Sequence, residues 1–313
     1  MNHSALGGLV ALLSLALGLT RPALAEDAAP QAPPDTRLYL HDLSIIRLGP
    51  LGLETQNRLV FQKRLMDSDS ALFRDTYVNG AAALKLNPAY FKVGPTVDIQ
   101  PIALLNVRLG YEYMRFFGGF GYLQSFSEPE LLADGTSPFE KSIRDANSDA
   151  ELNYVTSGHH MFVEPTFQIK VSKVAIRSKT AIERWRMALD DMDGDGQTDT
   201  VFYDATLHTL VPAAGMVVTN DSDLLYVSGK HLTAGARYSV VSPKYEGDAM
   251  DGGVMKLGPI VAWTFNTRDY SSFNKPTLLF IGGWYLKHPN EVERSFPYLL
   301  LGYSFSSDFL NKG

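Results

Sequence analysis

The chain has 313 residues, no cysteine and a formal net charge of −6, from 28 Lys and Arg against 34 Asp and Glu. No disulfide framework is available to it, and mild acidity without a basic stripe argues against nucleic acid as a partner. A mean hydropathy near zero, with no apolar run of about 18 residues, excludes a helical membrane span but leaves room for membrane strands, whose alternation averages out on a hydropathy scale.

The N-terminus opens with the uncharged apolar run "ALGGLVALLSLALGL" (Ala5–Leu19), about the length of a signal-peptide core and short for a membrane span. Small residues at Ala23 and Ala25 follow in the arrangement signal peptidase reads, so 1–25 is expected to be removed before Glu26. "EDAAPQAPPDT" (26–36) is polar and Pro/Ala-rich. It reads as an extended linker, with too little apolar surface to order itself.

Beyond the linker the period is two. In "LLNVRLGYEYM", Leu105, Val107, Leu109, Tyr111 and Tyr113 share one face, while Asn106, Arg108, Gly110 and Glu112 share the other. A helix would mix these two sets, whereas a strand separates them. "HMFVEPTFQIKV" sets Met161, Val163, Phe167 and Ile169 against Glu164, Gln168 and Lys170. "KVAIRSKTAIERW" sets Val174, Ile176 and Ile182 against Arg177, Lys179 and Glu183. The final strand, "YLLLGYSFSSDF", aligns Leu299, Leu301, Tyr303, Phe305 and Phe309.

Candidate strands cover 51–65, 75–86, 90–99, 103–116, 159–171, 173–187, 206–219, 223–230, 232–242, 254–267, 276–287 and 297–309. The weakest candidates are 90–99 and the 223–242 region, where two short strands read equally as one long one, so ten strands is the alternative to twelve; 37–49 reads as an extra strand or a plug-like segment. Runs of this length exceed the usual soluble strand of about five or six residues and approach the 9–11 that cross a bilayer at a tilt. Aromatics at strand ends ("YEYMRFF", "AWTF", "GGWY") suit a lipid–water interface. The pattern predicts an all-β fold over 37–313, a closed antiparallel transmembrane barrel of about twelve strands, with long loops at 117–157, 188–205 and 243–253.

With this alternation and its aromatic last strand, the chain resembles bacterial outer-membrane β-barrel proteins over 50–309, although "LNKG" follows Phe309 where that family usually ends on an aromatic residue. The resemblance implies a Gram-negative outer membrane, its lipid, and the machinery that assembles barrels there. It implies a structural or small-solute channel role. A lipid-modifying enzyme at the rim, using His159, His160 or His208, and a surface barrel acting through its long loops are the alternatives.

Two groups of residues could carry function. The inward charges Arg108, Glu112, Glu164, Lys170, Arg177, Lys179 and Glu183 should line a lumen, where they must pair or stay wet. "DMDGDGQTD" offers Asp191, Asp193, Asp195, Gln197 and Asp199 as calcium ligands, but the bidentate acid of a calcium loop is replaced by Phe202. Any calcium site there should be weak. No other cofactor is implied.

Overall fold

The computed structural model describes residues 34–127, 145, 147, 152–192, 196–245, 251–289 and 297–310. The expected signal peptide and most of the linker lie outside them. Twelve long strands form the wall: β1 (Thr36–Leu48), β2 (Gly52–Arg64), β3 (Tyr77–Asn87), β4 (Tyr90–Ile102), β5 (Leu105–Phe117), β7 (Val155–Val171), β8 (Val174–Met187), β11 (Met216–Ser228), β12 (Leu232–Lys244), β13 (Val254–Thr264), β14 (Asn274–Lys287) and β15 (Tyr298–Asp308). Three short strands, β6 (Ser125–Phe126), β9 (Val201–Asp204) and β10 (Thr209–Pro212), form a separate small sheet.

The long strands pair antiparallel with their neighbours, and β1 pairs with β15 to close the barrel. At the seam Arg37 Nε and Nη2 donate to the two carboxylate oxygens of Asp308, each at 2.9 Å. The end carrying the chain termini has the turns 103–104, 172–173 and 229–231 and the loops 65–76 and 265–273. The segments 118–154, 188–215, 245–253 and 288–297 join strands at the opposite, outer end. Glycine admits close approach in the wall: a Cβ on Gly94 would stand 1.9 Å from the carbonyl oxygen of Tyr111, and one on Gly235 2.0 Å from that of Leu224.

The expected strand number holds, but two assignments change. Of the two readings of 37–49 the strand holds and the plug does not: it is β1, half of the closing seam. The separate candidates 206–219 and 223–230 give way to β10 and one continuous β11, whose "NDSD" (220–223) sits mid-strand. Four consecutive polar residues read as a turn, yet Asp221 and Asp223 point inward to Arg237 while Asn220 and Ser222 point outward. With these changes the three expected long loops fall at one end. The expected loops 117–157 and 188–205 contain β6 and β9 of the small sheet, and its third strand, β10, lies in the expected strand 206–219.

Candidate functional site: the barrel lumen

Strand alternation delivers the lumen one residue in two. On β5 the inward positions, read from the outer end, are Phe116, Met114, Glu112, Gly110, Arg108 and Asn106. On β8 they are Met187, Trp185, Glu183, Ala181, Arg177 and Ala175, with Lys179 also facing the cavity. The same two strands therefore build an apolar layer near the outer mouth and a charged layer at mid-depth.

The small sheet completes the outer layer. Phe202 of β9 is fully buried, with its ring 5.8 Å from that of Trp185 and 6.4 Å from that of Phe116. Leu123, Val211, Val217 and Tyr285 close around it. Polar ties hold this cap to the 245–253 segment and to the wall. Tyr245 donates its hydroxyl to the carbonyl of Leu210 at 2.7 Å, and Thr209 donates to Gly252 at 2.6 Å. His208 Nδ1 lies 2.6 Å from the Tyr285 hydroxyl. In the β9–β10 turn, Asp204 accepts from the backbone N–H of Thr206 and Leu207 at 2.7 and 2.9 Å, an Asx-type turn.

Beneath the cap lies a cavity of about 390 Å³. Three ion-pair networks cross its wall. Asp98, fully buried, accepts from Arg58 and Arg108, each at 2.5 Å; Arg108 reaches Glu164 at 3.4 Å, which takes Lys179 at 3.3 Å. Glu112 takes Lys85 at 2.7 Å and His160 at 3.1 Å, and the other nitrogen of His160 meets Glu183 at 2.9 Å. Arg237 binds Asp223 through two hydrogen bonds of 2.7 and 2.9 Å and lies 3.4 Å from Asp221. The planar guanidinium makes such forked contacts cheaply, which suits a site where each charge needs a partner.

Two cations stand apart. Lys92 sits 4.7 Å from the centre of the Trp185 ring, and Lys256 sits 4.2 Å from that of Tyr298. Both line the cavity, and neither makes an ion pair among the described residues. The lining carries eight basic side chains against five acidic ones. Behind it, Arg47 Nε and the Asn79 amide are buried without a protein partner among the described residues. Water or a solute must complete their hydrogen bonds.

Of the seven charges expected in the lumen, Arg108, Glu112, Glu164, Arg177, Lys179 and Glu183 line this cavity. Lys170 is buried opposite Ala175, near the β7–β8 turn, away from it. Sequence reasoning missed Arg58, Lys85, Lys92, Asp98, Arg237 and Lys256 as lumen charges, although alternation on their strands marks them by the same rule, and it missed Asp221 and Asp223, which lie in the polar run that breaks the pattern of β11. Of the histidines considered for catalysis, His160 meets carboxylates, while His159 meets the Tyr111 hydroxyl on the outer face. Within the proposed calcium loop Asp193 and Asp195 lie outside the described residues. Asp191 accepts from the Gly196 N–H at 2.8 Å, Gln197 is exposed, and Asp199 is buried and accepts from Ser125.

Outside, the wall is apolar. Leu59, Phe61, Val97, Leu109, Val163, Ile182, Leu224, Leu257, Phe280 and Leu301 all stand exposed. Aromatics mark both ends, with Phe117 and Trp284 near the outer loops and Tyr226, Trp263 and Phe309 near the short turns. Water would not tolerate so extensive an apolar band, but lipid requires it. The chain is a membrane-spanning β-barrel. No protein-family model matches it, and no curated protein matches it in sequence. Among solved structures it is similar to the NanC porin (9% identity, 87% of this chain and all of that one, TM-score 0.40). It is also similar to the β domain of the Bordetella autotransporter BrkA (10%, 87% and 99%, 0.39) and to Omp33 of Acinetobacter baumannii (9%, 87% and 98%, 0.37). Likeness at this level transfers neither a residue role nor a substrate to this barrel.

Proposed function

We propose that this barrel passes small solutes, with a preference for anions, and that the β6–β9–β10 cap is its gate. The observation that carries the reading is the mid-depth cavity, with Lys92 and Lys256 presented to it unpaired. A lumen built only to be filled would pair its cations, because a buried unpaired charge is costly. A lumen that binds passing solutes keeps some charge available and weakly held. Cavity size limits the solute to a few heavy-atom groups. The polar layer continues toward the inner end through Tyr77, Asn106, Gln62 and Gln168.

The test is conductance in planar bilayers under a salt gradient. The full chain should open intermittently and favour anions. Lys92→Gln with Lys256→Gln should bring the anion-to-cation permeability ratio toward unity without silencing the barrel. A folded barrel that never conducts, or a ratio the double variant leaves unchanged, overturns the proposal. A single calcium ion ordering the 191–199 loop is a separate proposal. It predicts that millimolar calcium raises the melting temperature and that Asp191→Asn abolishes the rise; no rise with calcium removes it.

A further inference from the structure

The lipid-facing side of the wall is apolar through mid-depth on eight of its twelve strands. On β3, β4, β5, β7, β12, β13, β14 and β15 the central outward positions are held by residues such as Leu84, Pro95, Leu109, Val163, Ala236, Pro259, Phe280 and Leu301. The four exceptions fall in two pairs of adjacent strands.

The first break is on β1 and β2. Asp42 is the central residue of β1, at the outward parity of the exposed Ile46 and Leu48. Ser44 shares its strand, and Thr55 and Asn57 face outward beside them on β2, between the exposed Leu53 and Leu59. The Asp42 carboxyl receives only two long hydroxyl contacts, from Ser44 at 3.3 Å and Thr55 at 3.2 Å. The second break is on β8 and β11. Ser178 and Thr180 face outward between the exposed Ile176 and Ile182, opposite Ser222 and Asn220. These four bond among themselves, with the Asn220 amide donating to Ser178 and Thr180 at 3.0 and 2.9 Å and Ser222 donating to Asn220 at 2.8 Å. Around the barrel, four strands separate the two faces in either direction, so they lie on opposite sides.

A carboxyl facing hydrocarbon is costly, and so are hydroxyls and amides left to lipid. We infer that a second copy of this chain covers these faces, β1–β2 of one barrel against β8–β11 of the next. Complementarity selects this pairing. One face holds an under-coordinated acceptor; the other is a cluster with no acid, in which the Ser178 and Thr180 hydroxyls accept from the Asn220 amide and keep their own hydrogens to donate. A twofold contact of the first face with itself would set two carboxyls against each other. Because the faces are opposed, the head-to-tail contact does not close into a ring but extends as a row in the membrane plane. The inference is independent of any solute passing through the lumen.

The chain has no cysteine, so introduced thiols report cleanly. Thr55→Cys with Thr180→Cys in one chain, oxidised in the outer membrane, should give a ladder of dimers, trimers and higher species on gels. Thr55→Cys alone should give none, and the collision control Leu84→Cys with Val261→Cys should give at least tenfold less. Adding Asp42→Val should cut the ladder at least tenfold while heat-modifiable migration still reports a folded barrel. A ladder no stronger than the control, one that survives Asp42→Val, or dimers from Thr55→Cys alone would overturn the inference.

Discussion

The outer layer of the lumen and its middle rise from the same strands but are built of opposite materials. Phe116, Met114, Trp185 and Phe202 pack as a dry core at the mouth. A few residues deeper, Glu112, Arg108, Glu183 and Arg177 hold one another in ionic networks around a cavity. The first layer gains by excluding water and is indifferent to which apolar group fills it, provided volume is kept. The second depends on each partner being present, since removing one strands another. A barrier of the first kind can be displaced and re-formed as a unit, whereas a lining of the second kind stays in place. That division suits a gate above a fixed, charged passage.

The comparison can be broken most directly at the cap. Replacing 200–213 with a short Gly-Ser linker should raise bilayer conductance at least tenfold and make it steady; a truncated barrel that conducts no better locates the barrier elsewhere. Next, Asp98→Ala leaves Arg58 and Arg108 without their shared carboxylate. It should lower unfolding stability in lipid by about 3–5 kcal/mol, measured by urea titration. Phe202→Leu, nearly conserving volume in the dry layer, should cost only about 1 kcal/mol and lengthen open events slightly. A cost as large as that of Asp98→Ala would mean the two layers are not different in kind.

The smallest effect is expected at the loop edge. The Lys287 ammonium, hydrogen-bonded to Asp251, holds that carboxyl below the usual carboxylate range. A depressed folded pKa contributes stability above the unfolded value of about 3.9 and loses it as pH falls through the folded one. Asp251→Asn should therefore differ slightly from the parent chain at neutral pH and converge with it below about pH 4. A gap that widens in acid reverses the sign of that coupling.

Period-two alternation made the barrel and its strand number legible, because lipid on one side and lumen on the other each demand their own residue type. It failed where that demand is locally relaxed. "HDLS" in β1 and "NDSD" in β11 place polar residues outward at mid-depth, and each broke the pattern that identifies a strand. The segment left open between strand and plug and the one divided in two thus contain half of each polar face. Six of the seven expected lumen charges came to one cavity because they lie inward at mid-depth on β5, β7 and β8, whereas Lys170 shares their parity but lies near the β7–β8 turn. The cap escaped notice for another reason. Val201, Phe202 and Leu210, Val211 are too short a pattern to separate from loop, and they acquire meaning only by folding back onto Phe116 and Trp185.

The seam between β1 and β15 also bears on how the barrel comes to exist. Arg37 and Asp308, which meet there, are 271 residues apart in the chain. Every other wall pairing joins strands that follow one another closely or are separated by a single long loop. Local hairpins can therefore zip progressively, but the first strand must wait, edge unpaired, until the last one has been delivered. Contacts so distant in sequence make folding slow, and an exposed edge invites pairing with a neighbour while it waits. The step that protects β1 during that interval governs whether a synthesised chain becomes a barrel or an aggregate.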